Sequence, residues 1–390
     1  MSQPQQQRYS VVWSAPFDMS GYGVAARGYV KALDEFGVRV RIEDRSVSRS
    51  LAGKGVDEGV NRFLGRLKMN DVPPNTTRVQ HQNPDIFEAQ RLGPRRMNVG
   101  FSVFEMLSIP PHWAARCDLV DEVWTPSEYS RQAFLAGGVA AGKVHVIPHF
   151  VDAKSFRPGD RRWSIGNLRG FNFLSLFDFT ERKGWRELLQ AYWRTFRRSD
   201  DVSLTLKCYF GSFGEGDQAN IVRRVEDWRA ECGFRKQDTA PVFFYGYDIP
   251  HGLLAPFYCT FDAYAMLSRE GFGLPFAEAM ACGLPAIGPA VGGNREFMSE
   301  ENSFLVERVG TEPIDDELMA RTPSFRGLEW PTYSVDGLGY WMKYVYDHPR
   351  EAKVRAMKGR EDIRRLLSYD RIARMVVDRL ASGVGVGVRA

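Results

Sequence analysis

The sequence predicts an α/β protein made of two successive doubly wound domains, and three observations carry that prediction. At 390 residues the chain exceeds one ordinary domain and fits two of about 150 to 200 residues each. Short apolar runs alternate with segments whose apolar residues recur at helical spacing, from residue 9 to beyond residue 360. Twice an apolar run leads through a glycine turn straight into a helix, at "FDMSGYG" (17–23) and "SREGFGLPFAEAMACGLPAIG" (268–288).

Taken in order, the glutamine-rich residues 1–8 read as disordered, and "YSVVWSAP" (9–16) as a buried strand. The helix after it places Val24, Tyr29, Val30 and Leu33 on one face, and "VRVRIED" (38–44) alternates as the next strand. Residues 45–75 read as polar, basic and irregular. Short strands follow at 78–82, 97–104, 122–126 and 143–148, with "NPDIFEAQRLG" (83–93) and "SEYSRQAFLAGG" (127–138) read as helices between them. The turn-rich stretch 149–170 is an inter-domain crossing, giving domains 9–160 and 161–368.

The second half repeats the alternation. A strand at 171–179 precedes a helix over 184–198 with Leu188, Leu189, Tyr192, Trp193 and Phe196 on one face. Strands follow at 203–210, 242–247 and 261–267, with a helix at 218–232. Beyond the second glycine turn, 300–335 is less regular, and helices are expected at 335–347 and 350–366. A last amphipathic helix, 369–381, is expected to pack back on the N-terminal domain, with 382–390 a loose tail.

The net charge of +4 is evenly spread: residues 1–160 carry 20 Lys and Arg against 17 Asp and Glu, and the remainder 32 against 31. That balance does not mark a nucleic-acid binder. The basic loop 38–55, with Arg62, Arg66 and Lys68 beyond it, is the main candidate for anionic acceptors or lipid headgroups, against which stand Glu43, Asp44, Asp57 and Glu58. Five scattered cysteines without a CxxC pair (Cys117, Cys208, Cys232, Cys259, Cys282) read as free core thiols of a reducing compartment. With a polar start and no apolar run near the ~20 residues that span a bilayer, the expected location is cytoplasmic, with peripheral contact at the inner membrane face compatible with it.

The second glycine turn carries the chemistry. Pro275 suits the first turn of a helix and Gly283 the position past its end. Helix N-termini accept phosphate, whereas carboxylates repel it and accept hydrogen bonds from sugar hydroxyls. Glu270 and Glu278, flanking such a terminus, therefore fit a sugar nucleotide; glutamates that merely complement a helix dipole give the same spacing. "SGYG" (20–23) is a second phosphate-facing loop, or an ordinary tight turn. No Asp-x-Asp pair suited to a phosphate-bound divalent cation, no His/Cys cluster with metal-ligand spacing and no Gly-x-Ser-x-Gly is present, so no metal ligand is assigned. His81, His112 and His149 read as structural groups, with His81 also a candidate for substrate contact.

"EGFGLPFAEAMACGLPAIG" (270–288) resembles the signature of the large retaining glycosyltransferase family, family 4 in type, that includes glycogen and sucrose synthases and bacterial mannosyltransferases. "VHVIPHFVDAKSFRP" (144–158) and "RKGWRELLQAY" (182–192) agree with that family in order and distance. The resemblance implies the GT-B architecture, two Rossmann-like domains facing across a cleft, with the acceptor mainly on the first and a nucleotide-diphosphate sugar, UDP- or GDP-linked, mainly on the second. It implies retaining, metal-independent transfer to a hydroxyl of a glycan or glycolipid, with no cofactor and no nucleic-acid partner.

By the same resemblance Glu278 holds the ribose, Glu270 contacts the transferred sugar, and backbone groups of Gly271, Phe272, Gly273 and Leu274 face the sugar and diphosphate. Lys183 neutralises the diphosphate, Arg182 adds a second charge, and Gly21 and Gly23 approach from the first domain. Tyr247, Asp248 and Ile249 hold the base. Two positions depart from the family: Asp178 stands where many members carry arginine, and Phe104–Glu105 where many carry His-Asp. Glu105 is assigned to the acceptor or sugar, or else to a structural partner. The departures keep open a non-catalytic sugar-nucleotide-binding protein; an epimerase on the same fold is the other alternative.

Overall fold

Ser10–Ala15 (β1) starts a parallel sheet with Arg39–Asp44 (β2), Thr77–His81 (β3), Asn98–Phe101 (β4), Glu122–Thr125 (β5) and Val144–Val146 (β6), in the order β2-β1-β3-β4-β5-β6. The structure is a computed structural model and describes residues 9–18, 20–46, 58–74, 76–90, 96–159, 163–209 and 215–383. Residues 1–8, the tail from 384 and Lys54 of the basic loop lie outside the described residues. The chain forms two compact units, one running to Asp152 and resuming at Leu366, the other spanning Ala153–Arg365.

In the first unit, position in the sheet explains each strand's composition. β4 is interior and buried at all four residues, whereas edge strand β2 buries Val40 and Ile42 and exposes Arg39 and Arg41. The helix Gly21–Glu35 starts where the Ser20 hydroxyl accepts the Gly23 amide at 3.1 Å. It buries Ala25, Ala26, Tyr29, Val30 and Leu33. The last helix, Tyr369–Gly383, belongs to this unit: Ile372, Ala373, Val376 and Leu380 join the core of Val11, Trp13 and Tyr29, and Arg379 pairs with Glu122.

The second unit has its own parallel sheet of Phe171–Asp178 (β7), Val202–Tyr209 (β8), Val242–Tyr245 (β9), Ala263–Ala265 (β10), Ala286–Pro289 (β11) and Phe304–Val306 (β12), ordered β12-β11-β10-β7-β8-β9. An antiparallel hairpin follows, Arg308–Pro313 (β13) and Glu329–Tyr333 (β14). In this sheet β8 and β9 lie to one side of β7, and β10 to β12 to the other. Chain order therefore reverses between β7 and β10, as it does between β1 and β3 in the first unit. At such a point the loops leaving the carboxyl ends of neighbouring strands diverge and leave a crevice, the usual ligand position in open α/β sheets.

Several elements differ from the sequence expectation. Only Pro84–Ile86 of 83–93 forms a helical turn among the described residues, because the Gln80 side chain bonds both the amide and the carbonyl of Glu88 (2.9 and 2.8 Å) and holds the chain extended. Within 45–75, Glu58–Lys68 is a helix whose dense charge hid an apolar stripe: Leu64 and Leu67 are buried, with Val60 and Phe63 packed on the same core. The helix expected to run to 198 ends at Thr195, where Phe196 turns extended and Arg197 bridges Thr239. The less regular 300–335 contains β12 and the hairpin.

Candidate functional site

The β7/β10 reversal places two loops side by side. After β7 comes a tight turn, Glu181–Lys183; after β10 comes 266–273, leading into the helix Leu274–Ala281. The loops are tied through the main chain, Arg269 N–H donating to the Arg182 carbonyl at 3.0 Å. Lys183 Nζ consequently reaches Glu270 Oε1 at 2.6 Å, and Arg182 Nη1 lies 3.3 Å from Glu270 Oε2 and 2.7 Å from the Arg269 carbonyl. Burial raises the Glu270 pKa, but the charges of Lys183 and Arg182 outweigh it and hold this carboxyl below its ordinary value. The centre is thus an ionised carboxylate between two cations.

The helix start behind Glu270 is shaped by glycine. Gly273 caps the helix at φ 93°, a left-handed conformation that other residues adopt only with strain. The loop after β11 closes on the same place: Gly293 N–H donates to the Glu270 carbonyl at 2.8 Å, and a Cβ on Gly293 would overlap the Gly271 carbonyl. Phe272 is buried against Phe297, their ring centroids 5.3 Å apart. Gly273 thus lies beside Glu270, a Cβ built on it coming 3.7 Å from the Glu270 Cβ, and Gly271, Phe272 and Leu274 belong to the same short loop and helix start.

Glu278, one turn into the helix, is buried and accepts a hydrogen bond from the Tyr258 hydroxyl at 3.0 Å. Burial pushes its carboxyl up to about 7, with the Tyr258 bond pulling the other way. The two motif glutamates therefore differ: Glu270 is held ionised, and Glu278 titrates near neutrality. In the turn after β9, Tyr247 is 67% exposed, Asp248 is exposed and Ile249 is buried. Burial draws Lys207 of β8 down to about 8, and Asp248 acts on it in the opposite sense.

In the first unit, Gly21 is exposed, whereas Gly23 is buried beneath the Asp18 backbone, which occupies the place of a side chain there. Tyr22, between them, bonds Asn83 Oδ1 at 2.8 Å and Ser102 Oγ at 3.0 Å. Burial raises its hydroxyl pKa, and the nearby charge of Glu105 adds to the rise. Glu105 is half-buried, and its carbonyl accepts the Tyr129 hydroxyl at 3.1 Å. His81 is a core residue stacked on Phe101 (4.4 Å) and 1% exposed, in keeping with its reading as a structural group.

Sequence reasoning missed Tyr258, Arg269, Lys207 and Tyr22. Tyr258 and Lys207 carry no local signal, since only the sheet order brings them to the site. Arg269 and Tyr22 sit inside quoted motifs and were legible as polar groups interrupting apolar or glycine-rich runs. Among the described residues no group of three or more His, Cys, Asp or Glu is arranged for a metal ion, and no helix is long and apolar enough to cross a membrane.

Comparison with known proteins points the same way. Residues 171–318 match the family described as Glycosyl transferases group 1. A GDP-mannose-dependent alpha-(1-6)-phosphatidylinositol monomannoside mannosyltransferase of Mycobacterium tuberculosis is 27% identical over 240 residues, 55% of this chain and 58% of that protein. A D-inositol 3-phosphate glycosyltransferase of Xylanimonas cellulosilytica is 30% identical over 189 residues, 45% of this chain and 42% of that protein. The chain thus spans about half the length of these curated relatives. Among solved structures, Anabaena Alr3699/HepE in complex with UDP and glucose has a TM-score of 0.66 at 15% identity, covering 96% of this chain and 100% of that one. Sucrose-phosphate synthase from Thermosynechococcus elongatus has a TM-score of 0.65 at 19% identity, covering 96% and 99%.

Proposed function

Residues 171–318 are a glycosyl transferases group 1 domain in a chain of GT-B fold, and from that premise we propose that the protein transfers a sugar from a nucleoside diphosphate to a hydroxyl of a glycan or glycolipid. The observation that carries this reading is the Lys183–Glu270–Arg182 cluster in front of the helix that begins at Leu274. Breaking a sugar–phosphate bond leaves negative charge on the diphosphate, and fixed cations with backbone N–H groups stabilise such charge without reorganising. Lys183 and Arg182 take that role, and the Gly271–Leu274 amides face the sugar and diphosphate. Glu270, already ionised, accepts hydroxyls of the transferred sugar. Glu278 accepts the ribose diol, and the turn 247–249 holds the base. Glu105, close to Tyr22, is the first unit's candidate for an acceptor hydroxyl.

In this reading no metal takes part, because the cationic side chains supply the charge. Transfer proceeds with retention: the acceptor oxygen bonds to the anomeric carbon on the face the diphosphate leaves, and a phosphate oxygen takes the acceptor proton. The mycobacterial relative's name gives GDP-mannose and a phosphatidylinositol mannoside, and the HepE structure holds UDP and glucose. A nucleoside diphosphate sugar is the level these names share.

Calorimetry and thermal shift with UDP, GDP and ADP and their sugars test the reading on wild type and Glu278→Ala. Stabilisation by one nucleotide family, weakened at least tenfold in the variant (about 1.4 kcal/mol), is the expected result. Absence of binding to every nucleotide would remove the transferase reading, and binding without turnover or donor hydrolysis would leave a sugar-nucleotide-binding protein.

A further inference from the structure

Arg269 precedes Glu270 in the motif, and its side chain is 1% exposed. Its guanidinium reaches Glu187 Oε1 at 2.7 Å, Glu312 Oε1 at 2.9 Å, the Pro331 carbonyl at 3.1 Å and the Glu181 carbonyl at 3.3 Å, and its charge lies 5.2 Å from the Trp330 ring centroid. Glu187 belongs to the helix Trp185–Thr195, whereas Glu312, Trp330 and Pro331 belong to the hairpin β13–β14. The Trp330 indole N–H donates to the same Glu312 oxygen at 2.8 Å, which fixes that carboxylate against the guanidinium.

The hairpin also reaches the other flank of Glu270. The Tyr333 hydroxyl bonds the Val291 carbonyl at 2.8 Å, in the loop whose Gly293 amide bonds the Glu270 carbonyl at 2.8 Å. The motif loop is thus held twice by one hairpin, once through the residue before Glu270 and once through the loop that closes on it. The bonds between Arg269 and Arg182, one main-chain and one from the Arg182 guanidinium to the Arg269 carbonyl, pass this constraint to the turn that carries Lys183.

We propose that Arg269 is a positioning residue for the Lys183–Glu270 pair and that the β13–β14 hairpin, which grips it, is part of the donor-site machinery. The proposal rests on the transferase reading only for its catalytic consequence. A planar fork can meet two carboxylates and two carbonyls at once, which a lysine ammonium cannot do with the same geometry. The guanidinium thereby sets where the loop's main chain lies, and with it the Glu270 carboxylate.

Removing one partner of a buried ion pair leaves uncompensated charge, so Arg269→Met alone would confuse positioning with folding. The informative variant is Arg269→Met combined with Glu187→Gln and Glu312→Gln, which removes the cation and both carboxylates together. The readout that needs no substrate is acetylation of Lys183 by an amine-reactive ester, quantified by mass spectrometry; this ammonium is now shielded by its bond to Glu270. The expected result is a melting temperature near wild type with Lys183 labelling raised about tenfold, or 1.4 kcal/mol of lost pairing. With the nucleotide sugar the wild type uses, kcat falls more than KM rises, and Arg269→Lys restores only part of it.

Wild-type labelling of Lys183 in the folded triple variant overturns the proposal. If the triple variant does not fold, Glu312→Gln decides, since it leaves Arg269 its bonds to Glu187, Pro331 and Glu181. An intermediate rise in labelling supports positioning and no rise overturns it. A wild type that uses no nucleotide sugar would sink the transferase reading, while the labelling would still decide whether Arg269 positions Lys183.

Discussion

Glu270 and Glu278 are eight residues apart in one motif, yet their surroundings set them to different chemistry. Two cations keep Glu270 ionised across the working pH range, whereas Glu278, buried and bonded to Tyr258, titrates at about 7. Linkage gives the Glu278 shift a sign. Its folded pKa lies above the ordinary 4.5, so between those values the folded state holds a proton that the unfolded state has lost. Stability therefore falls as pH rises from about 4.5 to about 7, by up to about 1.4 kcal/mol per pH unit, and Glu278→Gln should flatten that slope in melting curves. On the proposed ribose role of Glu278, nucleotide affinity should move oppositely, because a carboxylate accepts hydrogen bonds from hydroxyls in its ionised form. Calorimetry at pH 6 in buffers of different ionisation heat should show proton release on binding in wild type and none in Glu278→Gln.

Lys183 belongs to the same scale. With its bond to Glu270 only 2.6 Å long and Arg182 at 3.3 Å, its removal takes away the nearer of two cations. Lys183→Ala should lower kcat by about 10²–10³-fold, the range seen for loss of one preorganised charge donor. Steady-state kinetics on the identified donor checks this, and a loss below about threefold would mean that Arg182 alone serves the diphosphate.

Among elements, the strand–turn–helix around Glu270 was legible because each step has a local cause: apolar runs, a glycine at the helix start, Pro275 in the first turn, Gly283 past its end. The helix Glu58–Lys68 was hidden because its apolar stripe is narrow and the rest of its surface is charged. Residues 83–93 misled because a tertiary contact from Gln80 overrides local helical spacing. The candidate site divides along the same line. The motif residues could be read, whereas Tyr258, Lys207 and the hairpin grip on Arg269 depend on strand order and on side chains far apart in sequence.

The loop after β11 gives the test at this scale. Gly293→Ala places a methyl on the Gly271 carbonyl and displaces the amide that bonds Glu270. It should cost about 1–3 kcal/mol, as overpacking does, and weaken nucleotide binding. Gly166→Ala, with nothing within 4 Å of its Cβ, is the control and should leave both unchanged. Equal behaviour of the two variants in melting and calorimetry would show that the close approach at Gly293 does not shape the site.

At the scale of the whole molecule the chain leaves the first unit at Asp152 and returns to it at Leu366. The first unit's core is therefore completed by the last part of the sequence. Ile372, Val376 and Leu380 are buried there, Tyr369 packs on Phe150 with ring centroids 4.5 Å apart and Arg379 pairs with Glu122. Three fully buried aliphatic side chains contribute about 2 kcal/mol each, and their sum rivals the entire stability of a typical domain, about 5–15 kcal/mol. This helix belongs wholly to the first unit. A chain ending at Leu367 should therefore lose its first unit and keep its second. Hydrogen exchange with peptide resolution reads the two separately: β1, β3 and β4 should exchange freely in the truncated protein while β7, β8 and β10 stay protected, and nucleotide should still raise protection around 268–281. Uniform protection across both units would mean that the first sheet and its own helices suffice, and that the returning helix adds cover without completing the core.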